Sequence, residues 1–124
     1  MGQRLIDRFW PGPLTIVLPA QDGTTIGFRL PDHPITLAFL RACEVAVVAP
    51  SANRSGLPPP TNAAQVVAAL NGDVDVVLDG GPTTLSREST VVQVLHDRVQ
   101  ILREGAISSE MILLLTQGQG KRTD

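Results

Sequence analysis

The stretch VAVVAPSANRSGLPPPTNAAQVVAALNG, residues 45–72, decides the fold class. It opens on an apolar, valine-rich run of strand length at 45–49, ended by Pro50. Ala63, Val66, Val67 and Leu70 then recur at helical spacing, with Thr61 placed as N-cap and Asn71-Gly72 as the stop. A strand, a polar loop and a helix in that order put the loop at the carboxyl end of a strand, where open α/β sheets bind ligands. The loop APSANRSGLPPPT, residues 49–61, offers Ser51, Asn53 and Ser55 side chains and a turn-forming Gly56. Small hydroxyls and successive backbone N–H groups suit phosphate oxygens. No Gly-Lys-Ser/Thr follows, so this is not a Walker loop. The competing reading of the same letters is a polar turn that binds nothing.

Working outward, residues 14–18 (LTIVL) form a β-branched apolar run, and residues 26–30 (IGFRL) alternate. The alternation sets Ile26, Phe28 and Leu30 on one face and Gly27 and Arg29 on the other. A helix is expected from just after Pro34, where Ile35, Ala38, Phe39 and Ala42 share a face. Residues 74–78 read as another buried strand. Residues 90–95 and 99–102 read as a hairpin around His96-Asp97-Arg98. Residues 5–10 look like the end of a helix, 109–115 like a short helix, and 116–124 like a frayed tail. Strands and helices alternate through the middle and two strands follow in succession. The expected class is therefore α/β (α+β), a twisted mixed parallel/antiparallel sheet with flanking helices.

The chain has 124 residues, a net charge of −2 and one cysteine. That excludes an internal disulfide framework and gives no overall basic field for nucleic acid. Arg4, Arg8, Arg41 and Arg54 are the material for a local basic surface. Cys43, in an apolar helical stretch, reads as a small core residue. With two histidines, His33 and His96, far apart in sequence, no histidine metal site is expected. No apolar run has membrane-spanning length and the start lacks a signal-peptide core, which places the chain in the cytoplasm.

Two arginines are candidate anion clamps. Arg29 sits on a strand beside a glycine, positioned either for a bidentate carboxylate or phosphate contact or for an ion pair with Asp32. Ser89 opens one arm of the hairpin and Arg103 closes the other, so the fold can hold them together. An edge hairpin with ordinary surface polar groups is the alternative.

These segments together resemble the YrdC-like family. The matching strings are FWPGPLTIVL at 9–18, GFRLPDHP at 27–34, VVAPSANRSGLPPPT at 47–61, LDGGPT at 78–83, ESTVV at 88–92 and ILREGAI at 101–107. The resemblance implies the C-terminal portion of a YrdC-like domain over 1–107, an incomplete fold whose N-terminal part is missing, followed by a short helix and tail over 108–124. The family condenses L-threonine, bicarbonate or CO2, and ATP into threonylcarbamoyl-adenylate and pyrophosphate. Its product serves N6-threonylcarbamoyladenosine formation in tRNA, and some members bind double-stranded RNA.

Carried over by position, Thr25, Ser51, Asn53 and Arg103 are implied ATP contacts, and Arg29, Ala49 (through its backbone) and Ser89 implied threonine contacts. ATP enters as substrate, accompanied by Mg2+, and no metal-ligating residue is implied. Pro59 stands where many members have a serine, and Glu104 replaces a proline beside Arg103, an acid expected to weaken phosphate binding unless it points away. A Lys-x-Arg motif and the segment around it, expected before Phe9, do not occur in this sequence. The readings left open are therefore an enzyme, a non-catalytic nucleotide- or double-stranded-RNA-binding module, and an inactive remnant. Uncovered sheet edges are expected to favour self-association.

Overall fold

The computed structural model describes residues 1–84 and 87–117. The elements are α1 (Gly2–Phe9), β1 (Leu14–Pro19), β2 (Thr25–Phe28), α2 (Pro34–Cys43), α3 (Ala63–Leu70), β3 (Thr90–Val94), β4 (Val99–Arg103) and α4 (Ser109–Thr116). They fall into two units, Met1–Leu37 with Arg87–Asp124, and Ala38–Ser86. Residues 118–124, most of the expected tail, lie outside the described residues. No described helix is long and apolar enough to cross a membrane.

The first unit is built on a four-stranded mixed sheet in the order β2-β1-β3-β4. The β1–β3 pair is parallel, with Leu14 opposite Thr90 and Ile16 opposite Val92; the two outer pairs are antiparallel. The alternation of β1 explains its central place. Leu14 and Ile16 are buried on one face, while Thr15 and Val17 stand half-buried on the other. The buried face, which includes Val92 of β3, meets Leu5 and Phe9 of α1, one helical turn apart, together with Ile107 and with Ile112 of α4. Each such side chain contributes about 1.5–3 kcal/mol on leaving water. The β3–β4 hairpin closes by the Leu95 N–H donating to the Arg98 carbonyl at 2.8 Å.

The FWPGP string forms the turn between α1 and β1. Trp10 packs against the core and its indole N–H donates to the Leu14 carbonyl at 2.8 Å. Gly12 donates its N–H to the Leu30 carbonyl at 2.8 Å, and a side chain there would collide with the Phe9 carbonyl.

In the second unit two expectations need correcting. Thr61 is not the cap of α3. Asn62 is, in extended conformation with its side chain accepting from the Gln65 N–H at 2.9 Å, while Thr61 donates back to the Gln65 side chain at 2.8 and 3.1 Å. Asparagine's amide oxygen reaches the third helical N–H from this place, which leaves Thr61 to complete the reciprocal pair. The apolar runs 45–49 and 74–78 are not strands either, because among the described residues they form no ladder. An apolar run becomes a strand only when a neighbour takes up its backbone N–H and C=O groups. Both runs are exposed instead, Val48 at 92% and Val76 at 76%. α2 ends on Glu44 at φ 54, the left-handed cap position.

Candidate functional site

The sheet face turned away from α1 and α4 collects most of the polar side chains singled out in the first unit. Side chains opposite one another in register share a face, so Thr15 lies with Val91 and, one step out of the Thr90 phase, with Ser89. Thr15 Oγ1 and Ser89 Oγ are 2.8 Å apart.

A β-bulge brings Arg103 to this face. Val92 pairs with Ile101, so an unbroken ladder would set Leu102 opposite Val91 and Arg103 opposite Thr90, on the core side. The ladder shifts between Val91 and Val92, and Val91 faces Arg103. Leu102 is the extra residue, and the slip turns Arg103 away from the core. Its guanidinium donates to the Ser89 carbonyl from Nε (3.2 Å) and Nη2 (2.8 Å), and from Nη2 to Ser89 Oγ at 3.4 Å. Nη1 pairs with Glu88 Oε2 at 3.1 Å, both side chains about half exposed. A pair this open to water adds little stability, but it orients the fork.

The turn after β4 is fastened from beneath by Thr90, which is fully buried. Its hydroxyl donates to the Ile107 carbonyl and accepts the N–H groups of Gly105 (2.9 Å) and Ile107 (3.0 Å). Gly105 passes so close that a Cβ would lie 2.6 Å from the Ser89 carbonyl oxygen and overlap the Glu88 carbonyl. Only a glycine fits there.

The acid on Arg103 is thus Glu88, not Glu104. Glu104 points to α4, where Oε2 accepts the Ser109 N–H at 2.8 Å, beside the N-cap Ser108. Ser109, through its hydroxyl first and then its N–H, holds the Glu104 carboxyl below its ordinary pKa, and Arg87 adds to this. A carboxylate lowered on folding stabilises the fold above its unfolded pKa, and that stabilisation disappears as pH falls through the lower folded value. Unfolding midpoints measured against pH should therefore show wild type above Glu104→Gln near neutrality, with the two curves converging at acid pH.

Arg29 lies one residue beyond β2, in phase with Gly27 on the same face. It is not paired with Asp32; its Nε donates to the Gly12 carbonyl at 3.3 Å. Among the described residues no carboxylate is within ion-pair distance, which leaves the two Nη groups without an acid. The side chain reaches solvent, yet its surroundings desolvate the guanidinium enough to lower its pKa. Thr25 shares this face at the other end of β2, roughly 13 Å along the strand. His33 Nδ1 accepts the Thr36 N–H at 3.3 Å and so caps α2.

Ala49, Ser51 and Asn53 belong to the second unit. Ala49 and Ser51 are exposed. The loop turns where the Leu57 N–H donates to the Arg54 carbonyl at 3.1 Å and Gly56 takes φ 81. Asn53 Nδ2 donates to the Leu57 carbonyl at 2.9 Å, while its Oδ1 is buried with no partner among the described residues. A buried acceptor left unmet is costly. Arg54 pairs with Asp73 at 2.9 Å and donates to the Ala69 carbonyl at 3.1 Å, so an acid partly balances its charge at the surface.

Sequence reasoning passed over Thr15, Glu88 and Thr90 as parts of this arrangement. Thr15 was legible as the one hydroxyl inside LTIVL, and the other two stand in the ESTVV string; their partners were not.

A family model, Sua5/YciO/YrdC, described as Telomere recombination, matches residues 2–105. The threonylcarbamoyl-AMP synthase of Bacillus subtilis is 42% identical over 121 residues, covering 90% of this chain and 35% of that protein. The Schizosaccharomyces pombe threonylcarbamoyl-AMP synthase is also 42% identical, over 87% of this chain and 30% of that protein. The crystal structure of Pyrococcus abyssi Sua5 complexed with L-threonine superposes with a TM-score of 0.84 at 36% identity, covering 92% of this chain and 36% of that one. The chain thus spans about a third of the length of these relatives.

Proposed function

Since the chain belongs to the Sua5/YciO/YrdC family, we propose that it serves the threonylcarbamoyl-AMP synthase reaction. In that reaction L-threonine, bicarbonate or CO2, and ATP give threonylcarbamoyl-adenylate and pyrophosphate, a cytoplasmic step towards N6-threonylcarbamoyladenosine in tRNA. The observation that carries the reading is Arg29. It is a partly desolvated guanidinium anchored through Nε, with both Nη groups unmatched by any acid among the described residues. A carboxylate is its natural bidentate partner, and L-threonine supplies one.

Within the first unit, Ser89 joins Arg29 as a threonine contact and Thr25 and Arg103 take the nucleotide; in the second unit the family resemblance assigns the Ala49 backbone to threonine and Ser51 and Asn53 to ATP. The threonine amine takes up CO2 and loses a proton to give a carbamate. A carbamate oxygen then attacks the α-phosphorus in line, and pyrophosphate leaves. Arginine and hydroxyl donors act by positioning and by neutralising charge. Among the described residues no three His, Cys, Asp or Glu side chains converge on a metal position. Mg2+ would enter with the ATP phosphates, where it would neutralise charge on the leaving pyrophosphate, and no step is assigned to it.

The test is pyrophosphate release by the purified chain, run across protein concentration so that self-association through the exposed valines registers in the rate. Release that requires all three substrates together is the expected result. Nucleotide or double-stranded RNA retention without turnover would replace the synthase by a binding module, and neither would leave an inactive remnant.

A further inference from the structure

The Ser89 hydroxyl has one hydrogen and two lone pairs to place. Arg103 Nη2, 3.4 Å away, only donates, so it uses a lone pair. Thr15 Oγ1, 2.8 Å away, can stand in either role. If Thr15 donates, both lone pairs of Ser89 are filled and its hydrogen is left for an acceptor, on a side chain that keeps only 7% of its surface exposed. If Ser89 donates, it keeps only a lone pair, which meets a donor, and the leftover hydrogen sits on Thr15. The direction of one hydrogen bond therefore sets which ligand chemistry Ser89 accepts.

The neighbouring strand holds Thr15 in place for this. A Cβ added to Gly27 would lie 3.2 Å from Thr15 Cγ2, so the threonine methyl fills the space left by the glycine on the β2 side. The hydroxyl is consequently turned to β3 and Ser89. Thr15 makes no other side-chain hydrogen bond among the described residues.

We infer that Thr15 is a positioning residue that donates to Ser89 Oγ and so makes Ser89 a donor reserved for an acceptor-only ligand group, a carboxylate. This rests on the reading of Ser89 as a threonine contact. The two ideas separate in one experiment: titration of the full chain with L-threonine and with L-threoninol, whose hydroxymethyl group both donates and accepts.

Thr15→Val keeps the shape and strand preference and removes the hydroxyl; Thr15→Ser keeps the hydroxyl. L-threonine binding should weaken on the order of fivefold to tenfold in Thr15→Val, recover in Thr15→Ser, and lose part of its preference over L-threoninol. Gly27→Ala, which leaves every hydroxyl in place but crowds the Thr15 methyl, should weaken L-threonine in the same direction. If wild type binds no L-threonine, the threonine site and the inference fall together. If wild type binds and Thr15→Val binds equally well, the inference alone is wrong. Equal losses in Thr15→Val and Thr15→Ser would reduce Thr15 to a packing residue.

Discussion

Thr90→Val is expected to destabilise the first unit by about 3 kcal/mol or more, although it changes no side-chain volume to speak of. The hydroxyl it removes meets three backbone groups of one turn, the Gly105 N–H, the Ile107 N–H and the Ile107 carbonyl, at a position with no solvent exposure. Valine leaves two N–H groups and a carbonyl unmet, and each orphaned buried group costs about 1–3 kcal/mol. Relaxation recovers part of this, which is why the full sum is not expected. Urea unfolding reads the loss as a lower midpoint at unchanged slope, and Thr90→Ser should restore most of it. A midpoint unmoved by Thr90→Val would mean that Gly105 and Ile107 are held by something else. The same turn carries the Ala106 N–H to the Glu88 carbonyl at 2.9 Å, so its loosening also frees the Arg103 fork.

The second large effect concerns Arg29. Removing it should weaken L-threonine binding by roughly a hundredfold, from two charge-assisted hydrogen bonds worth about 1.5–3 kcal/mol each with incomplete recovery by water. Arg29→Lys is the sharper variant. A lysine has one ammonium and no separate Nε, so it either bonds the Gly12 carbonyl or meets the carboxylate, and never as a planar fork. Isothermal titration should place Arg29→Lys close to Arg29→Ala. A lysine variant with near wild-type affinity would show that charge alone suffices and would remove the bidentate argument. The two experiments address different layers, since Thr90 acts on the frame of the first unit and Arg29 on the ligand contact proposed above.

Much of this molecule is legible from its letters. Leu14 and Ile16 against Thr15 and Val17 give β1 its two faces, and the 90–95 and 99–102 runs around His96-Asp97 give the hairpin, because strand alternation and turn chemistry are local properties. The helix at Ala63–Leu70 follows from its apolar spacing for the same reason, and the short helix expected over 109–115 forms at Ser109–Thr116. The family strings likewise pointed to Arg29, Ser89 and Arg103 as the residues to watch, and the adjacency of Ser89 and Arg103 followed from their places on one hairpin. What failed was pairing. The runs at 45–49 and 74–78 have strand composition, and no ladder among the described residues takes them up, since a strand is a relation between two segments. Thr61 lost the cap of α3 to its neighbour for a related reason, because which side chain reaches the third N–H is settled by a backbone angle and not by residue preference.

The loop at 49–61 and the two arginines were identifiable by residue type and neighbours alone, without any contact being known. Their state was not. Whether Arg103 faces the core or the open side depends on a one-residue slip between β3 and β4, and a slip of one reverses the face of every residue beyond it. Which acid it meets depends on the same slip and on α4 drawing Glu104 away to Ser109. Those outcomes belong to tertiary structure because they join atoms remote in sequence, as Thr15 and Ser89 are, and local propensity carries no information about such a partner.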